Sequence, residues 1–275
     1  MRCAVGLAAS LALVIGALPA HAAGLRTGEI RVAYQRPVQK EALAIYRELK
    51  ARRVLEGLQA IIKGVRLPRT LTLRLSACHG YADAWYAPEN RTITICYEYV
   101  GYVQDRAPKN ASATGLTQQH AISGPIAQVF LHELAHALYD LLDVPVLGRE
   151  EDAADQFAAL VLLELPPAQA RQAIDGTAHL LRSQAAEETP DRTVLADDHS
   201  LTAQRLYNLL CLAYGADRKT FGYLVASGAL PKARAAQCGT EYDLAAYALQ
   251  KLLQQHLHDG RMERARIQRA FRWMY

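Results

Sequence analysis

The sequence predicts an α+β fold, mainly helical, with a small mixed β-sheet ahead of a long helix that carries a histidine-rich motif. Three observations lead there. Residues from Val38 to about Val65 place apolar side chains at three- and four-residue spacing, as a helix requires. Short alternating segments between Leu71 and Cys96 read as strands. From Ser123 onward the chain reads as successive helices, broken by proline- and glycine-bearing turns. One helical stretch, one small sheet and then helices, with no internal repeat, indicates one α+β unit.

The elements follow in order. Residues 23–36 form an extended lead-in. The helix after Val38 is broken once and stopped by Pro68. "LTLRLSAC" (Leu71–Cys78) alternates apolar and polar residues, and "ADAWY" and "TITIC" supply two further strands around the turn "APENRT". "YEYVGYVQ" turns helical, and "DRAPKNASATG" is a polar loop. Ser123 is the expected N-cap of the next helix, with Pro125 in its first turn and an end near Leu142. Pro145 and Gly148 make a tight connection to a helix over about 149–165, which Pro166-Pro167 stops. Further helices are expected at about 168–185, 200–214, 218–226 and 242–258.

The first residues do not belong to this fold. Met1-Arg2, the apolar run Cys3–Pro19 and the small-x-small Ala20-His21-Ala22 have the pattern of a secretory signal peptide, residues 1–22. Residues 23–275 are then expected as a single exported domain, periplasmic in a Gram-negative cell. No later segment is long and apolar enough to span a bilayer, and a net charge of +4 is too weak to argue for nucleic acid. Cys78, Cys96, Cys211 and Cys238 remain after cleavage. Cys78–Cys96 and Cys211–Cys238 are the favoured pairs, since each closes a short local loop in an oxidising compartment. The arginine-rich tail after Arg261, with Ile267, Phe271 and Trp273 among its basic residues, is expected as a solvated helix rather than a membrane contact. The tyrosines near the strands (Tyr81, Tyr86, Tyr97, Tyr99, Tyr102) are expected on a half-buried sheet face. His120, His179, His256 and His258 are expected at the surface.

The chemistry concentrates in "FLHELAHALYD", an instance of H-E-x-x-H. Residues four apart on a helix lie one above the other, so His132 and His136 can direct two imidazoles at one point. A catalytic zinc takes three protein ligands and keeps one place open. The next helix, "GREEDAADQFAALV", offers the third. Glu151 and Asp155 share one face. Glu151 would bind Zn2+, and Asp155 would accept a hydrogen bond from the other nitrogen of a ligand histidine. Glu150 and His199 are the alternatives. Glu150 has Ala154 as its fourth neighbour rather than a carboxylate, which favours Glu151. Glu150 and Asp152 are expected only to complement the helix dipole.

HELAH followed by E-x-x-x-D on the next helix resembles the gluzincin zinc peptidases, of which thermolysin is the familiar member. The segments "ITICYEY", "HELAHAL", "EDAADQFA", "DDHSLTAQRLYNLLCLAYG" and "CGTEYDLA" are similar to a bacterial metallopeptidase family described only as a domain of unknown function, from about residue 70 to 255. The resemblance implies a zincin-like domain, zinc held by His132, His136 and Glu151, and Glu133 as the base that takes a proton from water and gives it to the leaving amine. It also implies peptide docking along an edge strand at Asp83, Ala84 and Trp85, with Asp83 where thermolysin-like enzymes carry asparagine. His199, in a signature segment, is the first candidate to stabilise the oxyanion, with Tyr207 and Tyr86 as alternatives. The expected substrate is a peptide or protein. A catalytically silent binding module on the same scaffold competes with this reading, and a zinc hydrolase of another amide is a third. An intact Glu133 favours the peptidase over the silent module.

Overall fold

The computed structural model describes residues 28–109, 115–260 and 263–275, so the expected signal peptide lies outside the described residues. The extended lead-in becomes strand β1 (Ile30–Tyr34). The long helix expected after Val38 is two, α1 (Lys40–Ala51) and α2 (Val54–Ile62), broken where Arg53 adopts φ 55°. Three strands follow: β2 (Leu71–Ser76), β3 (Ala84–Ala87) and β4 (Thr92–Cys96). The sheet order is β1-β2-β4-β3. β1, β2 and β4 are parallel, and β3 runs antiparallel to β4 at one edge. The alternation that identifies β2 buries Leu71, Leu73 and Leu75 beneath the helices, while Thr72, Arg74 and Ser76 stay half-buried.

Helix α3 (Tyr97–Arg106) follows β4 directly. Helix α4 (Gln118–Leu141) starts earlier than the sequence suggests. Thr117 is its N-cap, accepting from the His120 N–H at 3.2 Å, and Ser123 is buried within the helix. The Ser-x-Pro pattern imitates a helix start, but Pro125 sits in the interior, where its ring lines a cleft. α4 is buried on most of its surface, between the sheet on one side and α5 (Glu150–Leu163) and α6 (Pro167–Glu187) on the other. α4 and α6 approach closely at Gly176, where a Cβ would lie 2.1 Å from the His120 carbonyl oxygen. This contact sets the wall of α6 that faces the motif.

Beyond α6 come α7 (Arg192–Leu195), α8 (Thr202–Ala216), α9 (Arg218–Phe221), α10 (Tyr223–Ala226), α11 (Lys232–Ala235), α12 (Cys238–Leu253) and α13 (Arg264–Ala270). Disulfides join Cys78 to Cys96 and Cys211 to Cys238, with Cα–Cα distances of 5.5 and 5.0 Å. The second ties α8 to α12. The C-terminal tail departs from expectation. Ile267, Phe271, Trp273 and Met274 are buried in the main core, and α13 packs on α2. Arg52 and Gln119 clamp the backbone carbonyls of Trp273 and Met274, each at 3.1 Å. Arg264, Arg269 and Arg272 face outward while Arg266 is half-buried, so the tail is an amphipathic plug rather than a solvated helix. No helix among the described residues is long and apolar enough to cross a membrane.

The Gly176 contact predicts a loss of stability. Gly176→Ala should destabilise the protein by roughly 1–3 kcal/mol through overpacking against α4. Urea denaturation monitored by circular dichroism measures it, and an unchanged midpoint would refute the close approach.

Candidate active site

Among the described residues, His132 and Glu133 stand out as buried titratable groups on a helix otherwise packed with apolar side chains, at 4% and 6% exposure. Burying an imidazole and a carboxylate side by side is costly unless each finds a partner. His132 finds its partners on α5, and Glu133 finds the Tyr86 backbone amide of β3. His132 and His136 stand one turn apart on α4, with their Nε2 atoms 3.2 Å from each other. One carboxylate oxygen of Glu151, Oε2, lies 2.9 Å from His132 Nε2 and 3.4 Å from His136 Nε2. The donor atoms of these three residues all fall within 4.8 Å of one another.

The far nitrogens are engaged as well. His132 Nδ1 lies 2.9 Å from Asp155 Oδ1, and His136 Nδ1 lies 2.7 Å from Glu150 Oε1. A carboxylate on each Nδ1 holds a proton there and turns both Nε2 atoms toward Glu151, where their lone pairs would meet a metal ion that displaces the Nε2 protons. Two imidazole nitrogens and a carboxylate oxygen, each oriented from behind, fit the donor set of a catalytic zinc. Glu150 therefore does more than complement a helix dipole: it orients a candidate ligand.

Asp155 is itself secured. Arg205 on α8 donates to it twice, Nε to Oδ2 at 2.7 Å and Nη2 to Oδ1 at 2.9 Å, and Gln128 Nε2 donates at 3.0 Å. Neither Arg205 nor Gln128 emerges from the motif reading. The available signal was that Arg205 is the only cation in "DDHSLTAQRLYNLLCLAYG", and that a buried aspartate facing an imidazole wants a second, permanent positive partner.

His199 also reaches the centre. Its Nε2 lies 2.9 Å from Glu151 Oε2, and its ring stacks on His132 with centroids 6.0 Å apart. Its Nδ1 faces Asp197 and Asp198, and its carbonyl accepts from Arg149. The alternative oxyanion donors lie elsewhere. The Tyr86 hydroxyl is committed to Asp140 at 2.5 Å, and Tyr207 is exposed and does not line the cleft. His120 packs near Tyr275, and half-buried His179 faces the Arg106 carbonyl, so neither joins the site.

These groups sit in a cleft of about 440 Å³. Asp83, Ala84 and Trp85 form one wall with Tyr86, and Thr177, Leu180 and Leu181 of α6 form another. Tyr99 also lines it, as Tyr86 does, so two of the tyrosines expected on a sheet face border the cleft. The Cys96 N–H donates to the Asp83 carbonyl at 3.0 Å. By antiparallel alternation, Trp85 and Ala87 also turn their backbone groups toward β4, and Ala84 and Tyr86 turn theirs to the outer edge, where the Tyr86 N–H bonds Glu133 and the two carbonyls face outward. The Asp83 carboxylate accepts from the Ala84 N–H at 2.8 Å.

The electrostatics follow from this crowding. Burial works against ionisation of Glu151, but the imidazoles of His132, His136 and His199 outweigh it and hold the carboxyl far below its usual range. Asp155 is likewise held low by Arg205 and His132 against its burial. Burial pushes Glu133 up, opposed by His132 and His136 and by the Tyr86 backbone amide. His136 rises from 6.5 to about 9, because Glu151 and Glu150 outweigh its burial.

With this geometry in view, the comparison with known proteins has a clear meaning. A family model described as "Putative metallopeptidase" matches residues 34–253. The chain belongs to that family. No curated protein and no solved structure matches it.

Three outcomes are expected. Zinc held at this site would compete with protons for His136, so affinity of the metal-free protein should rise with pH through about 9 and level off above it. Calorimetry in buffers of different ionisation enthalpy reads the released protons, and a pH-independent affinity would contradict the assignment. Asp155→Ala should weaken zinc binding roughly 10–100-fold by freeing the His132 ring, measured by chelator competition. Glu150→Ala should weaken it in the same sense.

Proposed function

We propose that the protein is an exported zinc-dependent metallopeptidase of the gluzincin type. The observation that carries this reading is the convergence of His132, His136 and Glu151 in one cleft with a buried Glu133 and the outer edge of β3 at Ala84 and Tyr86. A structural metal site would need neither the extra carboxylate nor the cleft. The family match supports peptide hydrolysis as the general activity. The two disulfides fit an oxidising compartment, and residues 1–22 are proposed as the signal peptide of a single domain spanning 23–275.

Zinc bound by His132, His136 and Glu151 would supply a Lewis acid that polarises the scissile carbonyl and makes water acidic enough to lose a proton near neutral pH. The chain's own residues do the rest. A peptide would lie along β3, donating backbone hydrogen bonds to the outward carbonyls of Ala84 and Tyr86. Glu133 would accept the proton of the attacking water on its carboxylate and pass it to the departing amine nitrogen. A carboxyl raised by burial suits both halves of that transfer. His199, drawn toward protonation by Glu151 and raised to about 9, would donate to the oxygen on which negative charge develops. Asp155 and Arg205 would keep the His132 ring fixed throughout, and Asp83 and Trp85 would bound the path of the substrate.

The test is turnover of a peptide library by the wild type and by Glu133→Gln, with zinc measured in both. Equal zinc and a fall in cleavage of roughly 10²–10⁴-fold is the expected result. Zinc without cleavage in either protein would instead indicate a peptide-binding module.

A further inference from the structure

The segment Cys96-Tyr97-Glu98-Tyr99, the end of the "ITICYEY" signature, has no part in the zinc chemistry, yet each of its residues is tied to a different element. Cys96 is bonded to Cys78. The Tyr97 hydroxyl donates to the carbonyls of Gln35 at 2.8 Å and Leu75 at 3.2 Å, fixing the junction of β4 and α3 to the ends of β1 and β2. Glu98 accepts the backbone N–H of Cys78 at 2.9 and 3.0 Å, and that of Gly80 at 3.1 Å. Tyr99 lines the cleft.

The gripped segment, residues 78–83, leads directly into β3. Its backbone is unusual: His79 at φ 56° and Gly80 at φ 94° are two successive left-handed residues. The turn directs the amides of Cys78 and Gly80 toward one point, a concavity that holds an anion, and a left-handed histidine persists only where its surroundings enforce it. Here the anion is Glu98. The donor atoms of Cys78, Cys96 and Glu98 lie within 4.8 Å of one another. With the two sulfurs bonded together, that cluster is a covalent clamp rather than a second metal site. At its far end the segment is fixed again, where Cys96 N–H meets the Asp83 carbonyl at 3.0 Å.

We propose that the Cys78–Cys96 disulfide and Glu98 are positioning residues that set the β3 edge against the metal centre for substrate docking. The inference rests on the peptidase reading above. Its action is on binding: a misplaced edge loses hydrogen bonds made equally in the bound and reacting states, which raises KM with little change in kcat. The other disulfide, Cys211–Cys238, joins α8 to α12 and touches neither β3 nor the segment before it, so it serves as the internal control.

The experiment compares the full chain with Cys78→Ala/Cys96→Ala, Cys211→Ala/Cys238→Ala and Glu98→Gln. The first variant should raise KM for a cleaved peptide roughly tenfold, keep its zinc and kcat, and speed amide hydrogen exchange across residues 79–86. Glu98→Gln should move both readouts in the same direction by less. The control should lower Tm while leaving KM and exchange at 79–86 as in the wild type. Unchanged KM and exchange in the first variant, or equal rises in KM for both disulfide variants, would overturn the proposal. Should the first variant fail to fold, Glu98→Gln decides by the same two readouts. Should the wild type cleave nothing, the peptidase reading fails, and exchange at 79–86 still decides whether the clamp positions the edge.

Discussion

The structure is organised around one oxygen atom. Glu151 Oε2 faces three imidazole nitrogens, from His132, His136 and His199, that arrive from one helix and a loop. α4 buries a histidine and a glutamate where other helices bury leucine. Left alone, those groups would cost several kcal/mol. For His132, α5 offsets that cost by delivering Glu151 and Asp155 on one face, with Arg205 of α8 securing Asp155; for Glu133, β3 delivers the Tyr86 backbone amide. The crossing of α4 and α5 is therefore set by polar pairing at least as much as by apolar fit.

The two candidate ligands are not held alike. His132 leans on Asp155, whose side chain is 21% exposed and bound by a guanidinium, whereas His136 leans on Glu150, whose side chain is 52% exposed. An exposed pair is screened and contributes little rigidity. His132 is thus the fixed corner of the site and His136 the adaptable one. Any adjustment of the cluster to an ion would fall mainly on His136.

Much of this was legible in the sequence, and the exceptions have physical causes. Period-two alternation identified β2 and β4, and four-residue spacing identified the shared faces of His132 with His136 and of Glu151 with Asp155. These are local regularities that survive without tertiary information. What spacing could not supply was long-range pairing. Arg205 lies 50 residues from Asp155 in sequence, and nothing local says that its guanidinium turns inward. Glu150 looked like a dipole complement because its partner, His136, sits on another helix. Thr117 was missed as a cap because Ser123 and Pro125 form a stronger local signal, overruled by burial of that turn. The tail misled for a related reason: its five arginines dominate composition, while the few apolar residues between them decide where it goes.

That buried tail has a consequence for how the molecule comes together. Phe271, Trp273 and Met274 fill the core against α2. Arg52, just before α2, and Trp273, whose carbonyl it holds, are 221 residues apart in sequence. The greasy side of α2 is therefore covered only when a very long loop closes, and contacts of such span slow the folding of a chain.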